Sequence, residues 1–470
     1  MRLDRPSLAL VVGLPALLVP LLAARPASAD RVSYHATASS DVAFTDNVFS
    51  ERRGAQDGDL FFQVRPGVRI TYGLPRMIHD LDVEGEVTQY ALHSQEASVT
   101  GRAGWRALVL LGPRSEVLVS AEGGTSVLSA LSARTSPDQP VVEIRPLGNL
   151  YARSASATQY ASWIASRDLR LSQGLYARAS ETDNREADPL IITSAEAGAR
   201  IAVDRYFRRH ALTIELGAAV LRLERDAPMD DPIGSRLDRQ LNPRARMAWR
   251  HELDRRISLG VDGGLVYIVP FGDDPANPGR ELRDPAMYPV VGVSADVTDV
   301  WGAGRMSLRH DVSANLFLGQ NTVNDTAVIS AAKPIAWRGV VRRRQPKLVG
   351  LGSVSVTRTQ LVDPFTSDLQ SSIGLARLDV GFVYAVRPGF TYGVRYELMV
   401  QTGDRNAQMP INGFFRNTFF VTFKLRYPED LAAQVPKRRG NTVNGARGDL
   451  VPIGAEPVVP DLIEDEGGED

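Results

Sequence analysis

Between Arg31 and Tyr427 hydrophobic and polar residues alternate with a period of two over strand-length stretches, and helical periodicity is nearly absent. Leu81, Val83, Gly85 and Val87 alternate with Asp82, Glu84, Glu86 and Thr88, which predicts a strand with one apolar and one acidic face. The following stretch sets Val99, Ala103, Trp105, Ala107 and Val109 against Ser98, Thr100, Arg102 and Arg106. A hairpin centred near Gln95 would bring Glu84 opposite Arg106 and Thr88 opposite Arg102 on one wet face. Downstream, Ala245, Met247 and Trp249 alternate with Arg246 and Arg250, and across a turn near Asp254 these arginines share a face with Asp262. Met306, Leu308, Val312, Ala314 and Leu316 oppose Arg305, Arg309, Asp311, Ser313 and Asn315, with His310 interrupting the apolar set. Phe419, Val421, Phe423, Leu425 and Tyr427 oppose Thr418, Thr422, Lys424 and Arg426.

A soluble sandwich also alternates, so three further features decide the class. Many strands exceed about ten residues, twice the ordinary soluble length. Short connections (Gly112-Pro113-Arg114, Leu253-Asp254-Arg255, Arg387-Pro388-Gly389) interleave with longer polar ones (Glu51 to Asp59, Ala227 to Gln240, Gly272 to Asp284). Aromatic residues cluster near strand ends, at Tyr72, Trp105, Trp249, Tyr267, Trp301, Tyr384 and Tyr427, where they suit interfacial girdles. The prediction is an all-β chain: a single closed antiparallel transmembrane β-barrel over residues 30–427, because closure alone removes sheet edges that lipid cannot satisfy. At about 22 residues per strand plus connection this span holds about 18 strands, with 16 the other compatible count. Pairing between Ser129 and Gln173, where alternation weakens, stays open.

Composition adds exclusions. A formal charge of -1 and no cysteine argue against a nucleic-acid surface and a disulfide or thiolate framework. No cofactor is called for. Arg2 and Arg5 precede an apolar run from Leu8 to Ala24, and Ala27-Ser28-Ala29 follows, so residues 1–29 read as a secretory signal cleaved after Ala29. After Asp30 no uninterrupted apolar stretch of about 18 residues occurs, which excludes a helical span. Residues 428–470 carry Pro436, Pro452, Pro457 and Pro460, the cluster Lys437-Arg438-Arg439 and an acidic end, and are expected to form a disordered periplasmic tail.

The segment Asn417 to Tyr427 resembles the terminal insertion signal of Gram-negative outer-membrane proteins, with Phe423, Leu425 and Tyr427 at the matching positions, although here a tail follows. The stretch Asp41-Val42-Ala43-Phe44-Thr45-Asp46-Asn47-Val48-Phe49 is similar to the opening hairpin of outer-membrane β-barrel porins, including barrels associated with polysaccharide export. These resemblances imply an outer-membrane location, recognition by the barrel-assembly machinery and contact with outer-membrane lipid. A periplasmic export partner would be needed only for an export role.

Function is therefore sought in the pore. Glu84, Glu86, Arg102, Arg106, Arg246, Arg250 and Asp262 are candidates to line an aqueous lumen and set its field, or to pair across the wall and stiffen it. The connection from about Ser129 to Thr158 is the third outward one. By architectural resemblance to porins it would narrow the pore, with Asp138, Glu143 and Arg145 at the constriction; an ordinary external loop or one more hairpin is the other reading. The six histidines, His35, His79, His93, His210, His251 and His310, show no HExxH spacing, and no GxSxG elbow occurs, so no enzyme is expected. The expected function is passive passage of solutes. An export component and a non-conducting structural barrel are the alternatives, and the solute and oligomeric state stay open. Val83→Arg or Val261→Arg is expected to cost roughly 2 to 4 kcal/mol near the bilayer midplane, and Thr88→Arg to be mild.

Overall fold

The computed structural model describes residues 32–427 apart from 49–55, 95–96, 128–150, 184–190, 227–233, 255, 273–283, 300–301, 316–319, 336–347, 364–368, 388 and 404–412. The alternation along the chain becomes 18 antiparallel strands. They are β1 (Val32–Thr45), β2 (Asp59–Leu74), β3 (Met77–Tyr90), β4 (Ser98–Gly112), β5 (Ser115–Val127) and β6 (Tyr151–Ser166). The middle third comprises β7 (Leu169–Asp183), β8 (Ile191–Tyr206), β9 (His210–Asp226), β10 (Arg236–Glu252), β11 (Ile257–Pro270) and β12 (Ala286–Asp299). The last third comprises β13 (Gly302–Asn315), β14 (Gln320–Pro334), β15 (Leu348–Val362), β16 (Leu369–Arg387), β17 (Phe390–Gln401) and β18 (Phe414–Tyr427). Each strand pairs with its sequence neighbour, and β18 returns to β1 from Ala36↔Tyr427 to Thr45↔Thr418, so the sheet closes without an edge.

The two parities of each strand separate. Leu175, Ile201, Leu216, Met247, Val293, Ile329, Val356, Phe382 and Phe419 stand exposed on the outside, an apolar surface that only lipid can cover. The charged parity points inward. Aromatic rings gather toward the short-turn end of the outer face: Tyr72 and His79 stack at 6.2 Å, Trp105 reaches His79 at 5.9 Å from the middle of β4 and not from its end, and His210 lies 4.3 Å from His251, which stacks on Trp249 at 5.5 Å. Tyr267 sits near the opposite end of its strand, and Trp301 lies outside the described residues.

Several boundaries differ from the sequence reading. The β3–β4 hairpin centres near His93, so Glu84 faces Arg102 and Thr88 faces Ser98. Parity survives because the shift is even. Tyr151–Thr158 belongs to β6, Arg236–Gln240 to β10, and Asp59 opens β2, each being absorbed into a ladder that supplies its backbone partners. The alternation of short and long connections has two exceptions: 335–347 on the short-turn side is long, and 316–319 on the other side is brief.

The wall is also not uniform. β12 and β13 pair only from Val291↔His310 to Asp299↔Gly302, so Ala286–Val290 and Asp311–Asn315 are neighbours in order without a ladder between them. Pro289, which has no N–H to donate, would oppose Val312 if the register continued. Val312 consequently leaves the lipid-facing set predicted for β13 and packs against an apolar cluster with Ile268, Tyr288, Val323 and Val362.

Candidate functional site

Among the described residues, charge concentrates on the inward parity of the strands. Because every inward residue follows from strand parity, acids and arginines from adjacent strands meet across the ladder. Around the middle of the wall one such pair is hydrated: Arg102 Nη2 lies 3.0 Å from Glu84, with the arginine side chain 56% exposed. Arg69 pairs with Asp80 at 3.3 Å, and Arg170 with Glu116 at 3.3 Å. Arg178 forks onto Glu196, which also accepts the Tyr176 hydroxyl at 2.7 Å. Glu215 bridges Arg200 at 3.3 Å and Arg244 at 3.5 Å.

The seven sequence-derived candidates all face inward, in three groups. Glu84 pairs with Arg102, while Glu86 receives Arg65 Nε at 2.5 Å. Arg246 Nε donates to Asp262 at 2.9 Å, and Arg250 Nη2 to Ser258 Oγ at 3.2 Å. Arg106 stands opposite Asp80 and Ser120, exposed, with no ion pair among the described residues. Two glycines make room for the second group: a Cβ on Gly264 would fall 2.9 Å from the Cα of Arg246, and one on Gly292 would fall 2.9 Å from Cγ of Asp262.

Toward the long connections the inward side chains are shielded from water. Arg65 is buried between Asp41, whose carboxylate it meets at 2.7 Å, and Glu86, and it also donates to Gln63. Gln63 Nε2 in turn donates to Thr88 Oγ1 at 3.2 Å. Thr88 is therefore crowded, and Thr88→Arg would overpack rather than be tolerated. Ala43, Val48, Phe61, Tyr90 and Phe420 form an apolar cluster inside the wall, with the Arg395 guanidinium 4.1 Å above the Phe420 ring. Arg377 reaches Glu397 at 2.5 Å and Asp379 at 3.8 Å. Sequence reading missed Asp41, Arg65 and the Arg178–Glu196 and Arg377–Glu397 pairs because their partners lie on neighbouring strands; only shared parity marked them.

At the rim, His93 lies outside the strands between Asp57 and Asp59, each ring nitrogen 3.0 Å from a carboxylate. Burial opposes its charge, but the hydrogen bonds to Asp59 and Asp57 prevail and raise its pKa above the ordinary imidazole value. Asp59 also accepts the Leu92 and His93 amides at 3.0 and 2.9 Å, tying the start of β2 to the β3–β4 connection.

The other histidines are dispersed: His79, His210 and His251 in the outer girdle, His35 buried inside, and His310 outward with Nδ1 2.6 Å from Asp325. Among the described residues no group of three or more histidine or carboxylate side chains is placed to hold a metal. Phe423, Leu425 and Tyr427 project outward from β18, 42%, 44% and 70% exposed. Asp138, Glu143 and Arg145, the signal with Ala29 and the tail 428–470 lie outside the described residues.

No family model matches the chain, and no curated protein matches it. Among solved structures it is similar to OccAB3 of Acinetobacter baumannii, with 8% identity and a TM-score of 0.45 over 84% of this chain and 99% of that one. It is also similar to OpdO of Pseudomonas aeruginosa (12%, TM-score 0.44, 85% and 99% covered) and to the copper transporter OprC (11%, 0.45, 86% and 81%). The assignment of the fold rests on the strand pairing itself.

Proposed function

We propose that the chain is an outer-membrane channel of the porin type that passes solutes down their gradients and carries out no chemistry. The observation that carries this reading is a closed wall, apolar outside, whose inner face presents exposed charged side chains such as those of Arg102 and Arg106. Such a lumen discriminates by size and by field, the arginine and carboxylate pairs polarising the water through which an ion moves. Phe423, Leu425 and Tyr427 would present the assembly signal, and Arg246, Arg250 and Asp262 would tune selectivity. The test is single-channel conductance of the refolded mature protein in planar bilayers, with and without residues 428–470. Steady conductance is expected. A folded, inserted and silent barrel would overturn the channel reading.

One observation favours a second reading. Inward side chains of the long-connection half, among them Asp41, Thr45, Arg225, Gln240, Thr359 and Arg416, have almost no solvent access. A barrel that opens only when a periplasmic component docks, as in an envelope export system, would have this property. Conductance gained only with a partner would then replace steady conductance.

A further inference from the structure

The discontinuity between β12 and β13 points to a specific element that narrows the lumen. Up to His310, β13 is part of the wall; beyond it, Asp311–Asn315 pair only with β14. The first five residues of β14, Gln320 to Asn324, are buried whichever way they point, which a wall strand between lipid and lumen does not show. Two contacts place this hairpin inside. Asn321, of outward parity, donates from Nδ2 to Gln240 Oε1 at 3.1 Å, and Gln240 is an inward residue of β10, four strands away around the barrel. Val323 and Val362, also of outward parity, join the inward-facing Ile268 and Tyr288 in one apolar cluster. Side chains meant for lipid by alternation thus rest on the lumen surface of β11 and β12.

We infer that the arms of the β13–β14 hairpin, Asp311–Asn315 and Gln320–Asn324, form a tucked constriction that sets the pore's size limit, with the hinge at Val291 and His310. This inference rests on the channel reading and names the residues that govern it. Local sequence makes the tuck self-consistent. Pro289 removes a ladder donor where the wall would otherwise zip, and the arm's polar groups are satisfied within the hairpin and by β15. Asn324 Nδ2 reaches Ser313 Oγ at 2.9 Å and Thr322 Oγ1 at 3.1 Å, and Thr359 Oγ1 donates to Asn324 Oδ1 at 2.9 Å. Among the described residues, the arm meets the lumen side of β10 to β12 through the apolar cluster and the amide bond from Asn321 to Gln240.

Val323→Asp places a carboxylate in that cluster and should expel the arm, while Asn321→Ala removes only the bond to Gln240 and should act in the same direction more weakly. The chain has no cysteine, so Thr322→Cys, at a residue now 1% exposed, gives a unique reporter. In full-length protein shown to be folded by heat-modifiable gel mobility, labelling of Thr322→Cys by a membrane-impermeant maleimide should be slow. It should accelerate when combined with Val323→Asp, and single-channel conductance should rise in parallel. Unchanged labelling in the folded variants would overturn the tucked arm. Faster labelling with measurable but unchanged conductance would overturn its role in the pore. Faster labelling with every variant silent would overturn the channel reading instead.

Discussion

The outer face can be tested by placing one arginine at two depths on it and at one lumen position as a control. Leu216 on β9 lies opposite Ile201 on β8 and Ala245 on β10, and it is 52% exposed in the middle of the apolar belt. Leu216→Arg there must carry its charge into hydrocarbon or drag water to it, at roughly 2 to 4 kcal/mol. That corresponds to a roughly 30- to 700-fold loss in the folding equilibrium. Val261 has the same outward parity but pairs with Trp249, which stacks with His251 in the girdle near the short turns. Val261→Arg can snorkel to that interface, so its cost should fall to about 0 to 1 kcal/mol. The sequence-based expectation for Val261 is lowered for this reason. Thr158 is the lumen control: it is exposed, faces inward and shares a hydroxyl contact of 2.6 Å with Ser120. Thr158→Arg should lose only that hydrogen bond, about 1 kcal/mol. Urea titration of each variant refolded into lipid vesicles, followed by tryptophan fluorescence and heat-modifiable mobility, measures all three. Equal costs at positions 216 and 158 would refute the assignment of faces, and a cost at 261 matching that at 216 would refute the placement of the girdle.

Further predictions follow from the interior. Asp41→Ala leaves the Arg65 guanidinium buried with only Glu86 to balance it, and should cost about 3 to 5 kcal/mol by the same titration. Glu84 and Arg102 form a hydrated pair, so a double-mutant cycle should return a coupling of only about 0.2 to 1 kcal/mol. Asp262→Asn removes the carboxylate that pairs with Arg246 and should shift reversal potentials in a salt gradient toward anion preference, an effect cancelled by Arg246→Gln in the same chain. His93 has a folded-state pKa raised above its unfolded value near 6.5, so its stabilisation of the rim is complete below about that pH and is lost as pH rises through the raised value. Hydrogen exchange at the Leu92 and His93 amides held by Asp59 should accelerate across that window, and exchange that slows with rising pH would contradict the sign.

The alternation of apolar and charged residues by itself determined that the chain is a long-stranded β-barrel and which parity of each strand is wet, while the choice of 18 strands over 16 came from the pairing. Parity is a local property: whether Glu84 and Arg102 share a face depends on an even separation, and an even register error leaves it intact. Which charge meets which is not local. Glu84 meets Arg102 and not Arg106 because the β3–β4 turn closes near His93, held by Asp57 of the β1–β2 connection and by Asp59 at the start of β2. Arg65 found Asp41 and Glu86 only when β1, β2 and β3 were laid side by side. The tucked β13–β14 arm reverses the rule outright, since Val323 and Val362 alternate as lipid-facing residues yet pack on Ile268 and Tyr288. No pattern within one strand reports that its neighbour stops pairing. That decision belongs to the closed wall, where Pro289 interrupts one ladder and the lumen surface of β11 and β12 supplies the apolar partner that lipid would otherwise have been.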